Sequence, residues 1–250
     1  MTSKAILDHV AIAAFELTDG WQLFGGVLGG SWIYGDDSPG FWWGQLGFQT
    51  GPKIEMLTPT GGPDAAFLER FLSTRGAGPH HLNFIVPDIH EALARVWAAG
   101  IEPVQVSLAN PAWKEAFLHP KDAHGIVVQI AEQSGLPAQV QAPAELPAPG
   151  PPTTFALVQH YVADLNGAVR LFADVLDGEL VSRPDNGGAS PAELTWANGA
   201  RLRLVPTGPR GRVGLGPLQF ARDGAGFSPA ERSQAADLAL HLAVSVQLGP

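Results

Sequence analysis

The sequence contains no cysteine at all. That excludes a disulfide framework, a thiolate metal site and a cysteine nucleophile, so any bound metal must be held by nitrogen and oxygen ligands. Charged residues are also scarce, 16% against 45% hydrophobic, and Lys plus Arg number 15 against 24 Asp plus Glu. A net charge of −9 excludes a nucleic-acid partner, which needs concentrated Lys and Arg to displace counterions. No apolar run approaches the roughly 18 residues of a membrane helix, so no membrane partner is expected. The N-terminal stretch lacks a signal peptide's apolar core and cleavage site, and a cytoplasmic location is expected.

What is present is a repeated phrase. Asp8-His9-Val10-Ala11-Ile12 is one histidine leading an apolar strand, and His80-His81-Leu82-Asn83-Phe84, opened by Gly78-Pro79, is another. Neutral imidazole binds most divalent transition metals. After His9, residues 16–26 have helical spacing, and 31–35, 40–49 and 52–58 read as strands, the last bearing Glu55. A short helix at 63–74 leads to the strand of His81. A helix at 88–99 and strands near 102–108, 113–118 and 125–131 then repeat the pattern, the last bearing Gln129. His9 and Glu55 are 46 positions apart, His81 and Gln129 48. Two copies of one strand–helix–three-strand unit would place two histidines and two oxygen-bearing side chains at matched positions.

Residues 134–152 alternate Pro with Ala, Gln and Gly and read as a stiff, extended, solvated linker. The unit then begins again. Residues 155–163 are strand-like, 164–176 helical and 192–206 strands. Val175-Leu176-Asp177-Gly178 echoes Val27-Leu28-Gly29-Gly30 at an offset of 148. Carried back, that offset sets Leu157 opposite His9 and Arg203 opposite Glu55 (Leu202 if one gap intervenes). This copy has the scaffold without the ligands. Residues 213–250 form a shortened fourth unit, with a strand near 215–221, a helix at 229–240 and a strand at 242–248.

These features resemble the vicinal oxygen chelate (VOC) superfamily, in its glyoxalase and methylmalonyl-CoA epimerase-like branch. The phrases around His9 and His81 carry the resemblance, together with His119-Pro120-Lys121-Asp122-Ala123-His124-Gly125-Ile126. It implies an α+β fold in which paired βαβββ modules form a half-open barrel. The VOC domain would span 1–133, the linker 134–152, and a degenerate VOC-like domain 153–250. It further implies a metalloenzyme with His9, Glu55, His81 and Gln129 around one divalent ion, cobalt, manganese, zinc, nickel or iron. Such an ion would serve a lyase or isomerase by stabilising an enolate, with Glu55 as the catalytic base, since an amide such as Gln129 accepts no proton near neutral pH. Trp42, Trp43 and Phe48 offer an aromatic wall to a small apolar carbonyl substrate, and Lys121 and His124 could contact its anionic group. Two alternatives stay open: a ferrous extradiol-type dioxygenase using His9, His81 and Glu55, and a metal-free binding or resistance protein. A homodimer is compatible with either.

Overall fold

The computed structural model describes residues 4–135, 141–182, 190–208 and 211–249. The first module is β1 (Ile6–Ala13), a short α1 (Thr18–Gly20) running directly into a π-helical stretch (Trp21–Val27), β2 (Ser31–Ser38), β3 (Phe41–Gly47) and β4 (Lys53–Pro59). A 3-10 turn (Pro63–Ala65) and α2 (Ala66–Arg75) lead to the second module. It comprises β5 (Gly78–Ile85), α3 (Ile89–Ala98), β6 (Gln105–Ser107), β7 (Trp113–Leu118) and β8 (Val127–Gln133). Asp88 caps α3 by accepting from the backbone N–H groups of His90 and Glu91. The eight strands form one sheet in the order β2-β3-β4-β1-β5-β8-β7-β6. In each module the first strand lies parallel to the last, β1 on β4 and β5 on β8. These are inner strands, which explains their near-continuous apolar sequence.

The third module follows the same plan, and the fourth a shortened form of it. They are β9 (Thr154–Val162), α4 (Leu165–Val169) with its π-helical continuation (Arg170–Val175), β10 (Glu179–Ser182), β11 (Ala192–Thr195) and β12 (Arg201–Pro206), then β13 (Gly214–Ala221), α5 (Pro229–His241) and β14 (Val246–Leu248). Their sheet order is β10-β11-β12-β9-β13-β14. The offset of 148 holds in three dimensions. Ala11 is the register partner of Glu55, and Gln159 is that of Arg203. Gly29 and Asp177, also 148 apart, both take positive φ, 67° and 57°, at the ends of matching helices. Arg203 therefore holds the place of Glu55, and its guanidinium pairs at 2.9 Å with Glu193, which Arg201 also engages.

Contacts divide the chain into two compact units. One joins the chain up to Asp8 with His81–Leu136 and Leu157–Gly216. Its core includes Phe84 between Phe172 and Trp196, and Arg95 of α3 donates to the Val175 carbonyl at 3.0 Å. The other joins His9–His80, Pro137–Ala156 and the chain from Pro217. There Phe48, Phe155 and Phe220 cluster, Phe24 meets Phe220, and Arg222 donates to the Val27 carbonyl.

The linker differs from the expectation of a solvated connector. Residues 136–140 lie outside the described residues; the rest carries no helix or strand but is docked. Gly150 N–H donates to the Gly25 carbonyl at 3.2 Å, and Gln49 N–H donates to that of Thr153 at 3.0 Å. Leu146 and Pro147 pack over Gly25 and Gly26, where the missing side chains let the chain approach. Proline content accounts for the lack of helix and strand in the described part, but that does not require solvent. No helix among the described residues is long and apolar enough to cross a membrane.

Candidate metal centre

Strand alternation sets which side chains share a face. On β1, His9 lies on the face of Ala11 and Ala13, and register adds Glu55 from β4 and Gln45 from β3. All three polar residues are buried. His9 Nε2 lies 3.4 Å from Glu55 Oε1. Gln45 Nε2 donates to Glu55 Oε2 at 2.7 Å and lies 3.2 Å from His9 Nδ1. Towards α2 the face becomes apolar, with Ala11, Ala13, Leu57, Leu68 and Leu72 packed together and Trp43 against them.

The second module repeats this on β5, β8 and β7. Asn83 and Gln129 are register partners, as are Gln129 and Phe117. His81, two residues before Asn83, shares the face, its ring 6.4 Å from that of Phe117. Gln129 is held at both ends of its amide: Asn83 Nδ2 donates to its oxygen at 2.8 Å, and its Nε2 donates to Glu115 at 2.7 Å.

Ligand atoms of His9, Glu55 and His81 all lie within 4.8 Å of one another, and all three residues are buried. Metal bonds of about 2.0–2.2 Å put neighbouring ligand atoms about 3 Å apart and opposite ones a little over 4 Å apart. The cluster therefore fits a divalent ion. Two neutral imidazoles and one carboxylate would leave it a net positive charge, suited to polarising a carbonyl oxygen.

The other sequence candidates fall in several places. Trp43 lies on the face of Glu55, its indole N–H donating to Ser38 at 3.1 Å. Trp42 lies on the opposite face, stacked on Trp32 and edge-on to Trp21. Phe48 packs with Phe155 and Phe220. Lys121 is exposed, its ammonium 3.8 Å from Asp122. His124 takes a positive φ of 57° in the turn before β8. Burial pushes its imidazole below the ordinary value, with Asp164 opposing. His80 turns to Phe67 and Phe71 of α2. Its burial lowers the pKa to about 4 against the pull of Glu55. Sequence reasoning passed over Gln45, Asn83 and Glu115. The one signal for Asn83 was a polar residue two positions after His81 in an otherwise apolar strand.

No family model matches the chain. The ethylmalonyl-CoA/methylmalonyl-CoA epimerase of Cereibacter sphaeroides is 35% identical over 137 residues, covering 50% of this chain and 96% of that protein. The mitochondrial methylmalonyl-CoA epimerase of Dictyostelium discoideum is 31% identical over 132 residues, covering 51% of this chain and 78% of that protein. The chain belongs to the VOC superfamily, in its epimerase-like branch. A solved structure of a hypothetical protein from Staphylococcus aureus aligns with 88% of the chain and 92% of its own length, with TM-score 0.58 and 13% identity. That likeness speaks to the fold alone. The fold is accordingly α+β, built of paired βαβββ modules in the half-open barrel style with a second VOC-like set. The chain is a VOC enzyme, and its relatives favour isomerase over dioxygenase chemistry.

Proposed function

We propose that this enzyme is a divalent-metal-dependent isomerase of the glyoxalase-like VOC type, with a lyase as the neighbouring outcome of the same chemistry. The substrate is a small carbonyl compound with an apolar substituent and an acidic C–H next to the carbonyl. The observation that carries this reading is the clustering of His9, Glu55 and His81 ligand atoms within 4.8 Å. Those three residues would hold the ion, with Gln129 as a fourth ligand through its amide oxygen. When bound, the ion supplies Lewis-acid stabilisation of the charge that develops on the substrate oxygen.

The chain's own residues supply the rest. Glu55 accepts the C–H proton when its carboxylate is free to do so. Trp43 and the apolar patch beside it exclude water and receive the substituent. The epimerase relatives act on malonyl thioesters by name, which makes methylmalonyl-CoA and ethylmalonyl-CoA the first compounds to assay. We assign the metal site to residues 1–133, the connecting segment to 134–152 and a ligand-free VOC-like region to 153–250.

The test is metal analysis of untagged protein and of His9→Ala and His81→Ala. One equivalent of a divalent metal is expected in the parent, lost in both variants with the fold retained by circular dichroism. A parent that takes up none of cobalt, manganese, zinc, nickel or ferrous iron sinks the reading.

A further inference from the structure

The offset of 148 carries a row of the first sheet onto the second. Across β1, β4 and β3 the row is Ala11, Glu55 and Gln45; across β9, β12 and β11 it is Gln159, Arg203 and Glu193. His9 is matched by the buried Leu157, so no imidazole remains. The row has changed sign at its centre, from a carboxylate suited to holding a cation to a guanidinium that is one. Strand alternation adds Arg201, Tyr161 and Val205 to the same face. All of these residues belong to one compact unit.

The Glu193 side chain is 9% exposed, while those of Arg201 and Arg203 are 48% and 37% exposed. Arg203 donates to Glu193 Oε2 from Nε at 3.1 Å and from Nη2 at 2.9 Å, and Arg201 Nη2 engages Oε1. One carboxylate thus fixes two guanidinium groups and balances the charge of one. Nη1 of Arg203 and both Nε and Nη1 of Arg201 make no hydrogen bond among the described residues. The Tyr161 hydroxyl accepts from Gln159 Nε2 at 2.9 Å, which leaves its own proton to donate. Two like charges two residues apart on one strand face repel, and a single ion pair needs only one of them. The face therefore presents one surplus positive charge, fixed guanidinium and hydroxyl donors, and the apolar surfaces of the Tyr161 ring and Val205.

We propose that this face of the second sheet binds a small organic carboxylate. The Arg203 and Arg201 donors left over by Glu193 take the carboxylate oxygens, and the Tyr161 hydroxyl donates to one of them. A short apolar substituent rests on the Tyr161 ring and Val205. A carboxylate matches the single surplus charge, whereas a phosphate monoester, with about two negative charges near pH 7, would bring its excess beside Glu193. Where the first sheet would offer positive charge through a bound ion, the second offers it through arginine.

The experiment titrates the whole chain with propionate, propionamide and inorganic phosphate, following the arginine Nε–H signals by nuclear magnetic resonance. Propionate is expected to shift the signals of Arg201 and Arg203 with equal affinity in the parent and in His9→Ala. Propionamide, which lacks the charge, should not bind, and phosphate should bind more weakly. Arg203→Gln should weaken propionate about 10-fold or more with the fold retained by circular dichroism. Arg201→Gln, at the more exposed position, should weaken it by a similar factor and carries the test alone if loss of Arg203 unfolds the chain. Unchanged affinity in either folded variant, or no arginine shift in the parent, would overturn the proposal. So would binding lost in His9→Ala, because the ligand would then belong to the metal centre. Phosphate binding as tightly as propionate would overturn the assignment of a carboxylate.

Discussion

A neutral imidazole that binds a metal through Nε2 keeps its proton on Nδ1. His9 Nδ1 lies 3.2 Å from Gln45 Nε2, so in a loaded site two N–H groups would face each other. Gln45 has the remedy at its other end. Its Oε1 is buried with no hydrogen-bond partner among the described residues, and a half-turn of the amide brings that oxygen round to accept from Nδ1–H, giving up the Nε2 donation to Glu55. Gln45→Leu is therefore expected to weaken metal binding about 10–100-fold in calorimetric titration. Gln45→Glu should recover only part of the loss, because its carboxylate accepts from Nδ1–H but cannot donate to Glu55 as the amide does. Equal affinity in all three proteins would remove Gln45 from the site's support. This position also shows what sequence could and could not reveal. His9, His81 and Glu55 were legible because a histidine leading an apolar strand, repeated at matched spacing, is a rare pattern. Gln45 and Glu115 were not, because the face a polar strand residue takes depends on pairing register. The same dependence separates Trp42 from Trp43, adjacent in sequence and opposite in orientation.

Elements were more legible than side chains. Hydrophobic periodicity located every module, and the offset of 148 survives as a common register in β1/β4 and β9/β12. Periodicity did not reveal the π-helical continuations of α1 and α4, since an apolar face reads alike at 3.6 or slightly more residues per turn. Nor could it show the docked linker, which depends on what the first helix lacks. Gly29 has φ of 67°, and a Cβ there would overlap the Pro151 carbonyl oxygen. Gly29→Ala should cost about 2–4 kcal/mol and raise proteolytic cutting within 141–152. Gly100→Ala is the control. Its φ is 76° with nothing within 4 Å, so it bears only the backbone cost of about 1 kcal/mol. Equal losses in the two variants, without new cleavage, would mean that the linker does not depend on this close approach.

For the whole molecule, the group that links folding to pH most directly is His160. Its burial was not visible in the sequence. It is fully buried on β9, and neither ring nitrogen meets hydrogen-bond geometry among the described residues. Burial pushes its pKa from 6.5 down to about 4; the nearby His124 pushes the same way, and the backbone carbonyls of His124 and Gly214 oppose. The folded chain thus holds His160 neutral where the unfolded chain would protonate it. The unfolded state binds more protons between pH 6.5 and about 4, so stability falls as pH drops through that window and is fully present above it. The slope is about 1.4 kcal/mol per pH unit, and the total for this one residue is about 3 kcal/mol. Carboxylates held below their usual range, such as Glu231 at about 2 through Arg222 and Ser228, lose their contribution only at lower pH. Chemical denaturation of the metal-free protein at several pH values from 4.5 to 7.5 should therefore show at least this slope in the parent, with His80 adding to it. His160→Phe should take about that much off the slope, leaving the share of His80, whose pKa burial also lowers to about 4, while keeping the volume filled against Phe172, whose ring lies 6.1 Å from the imidazole. An unchanged slope in the variant would mean that another group takes up the proton.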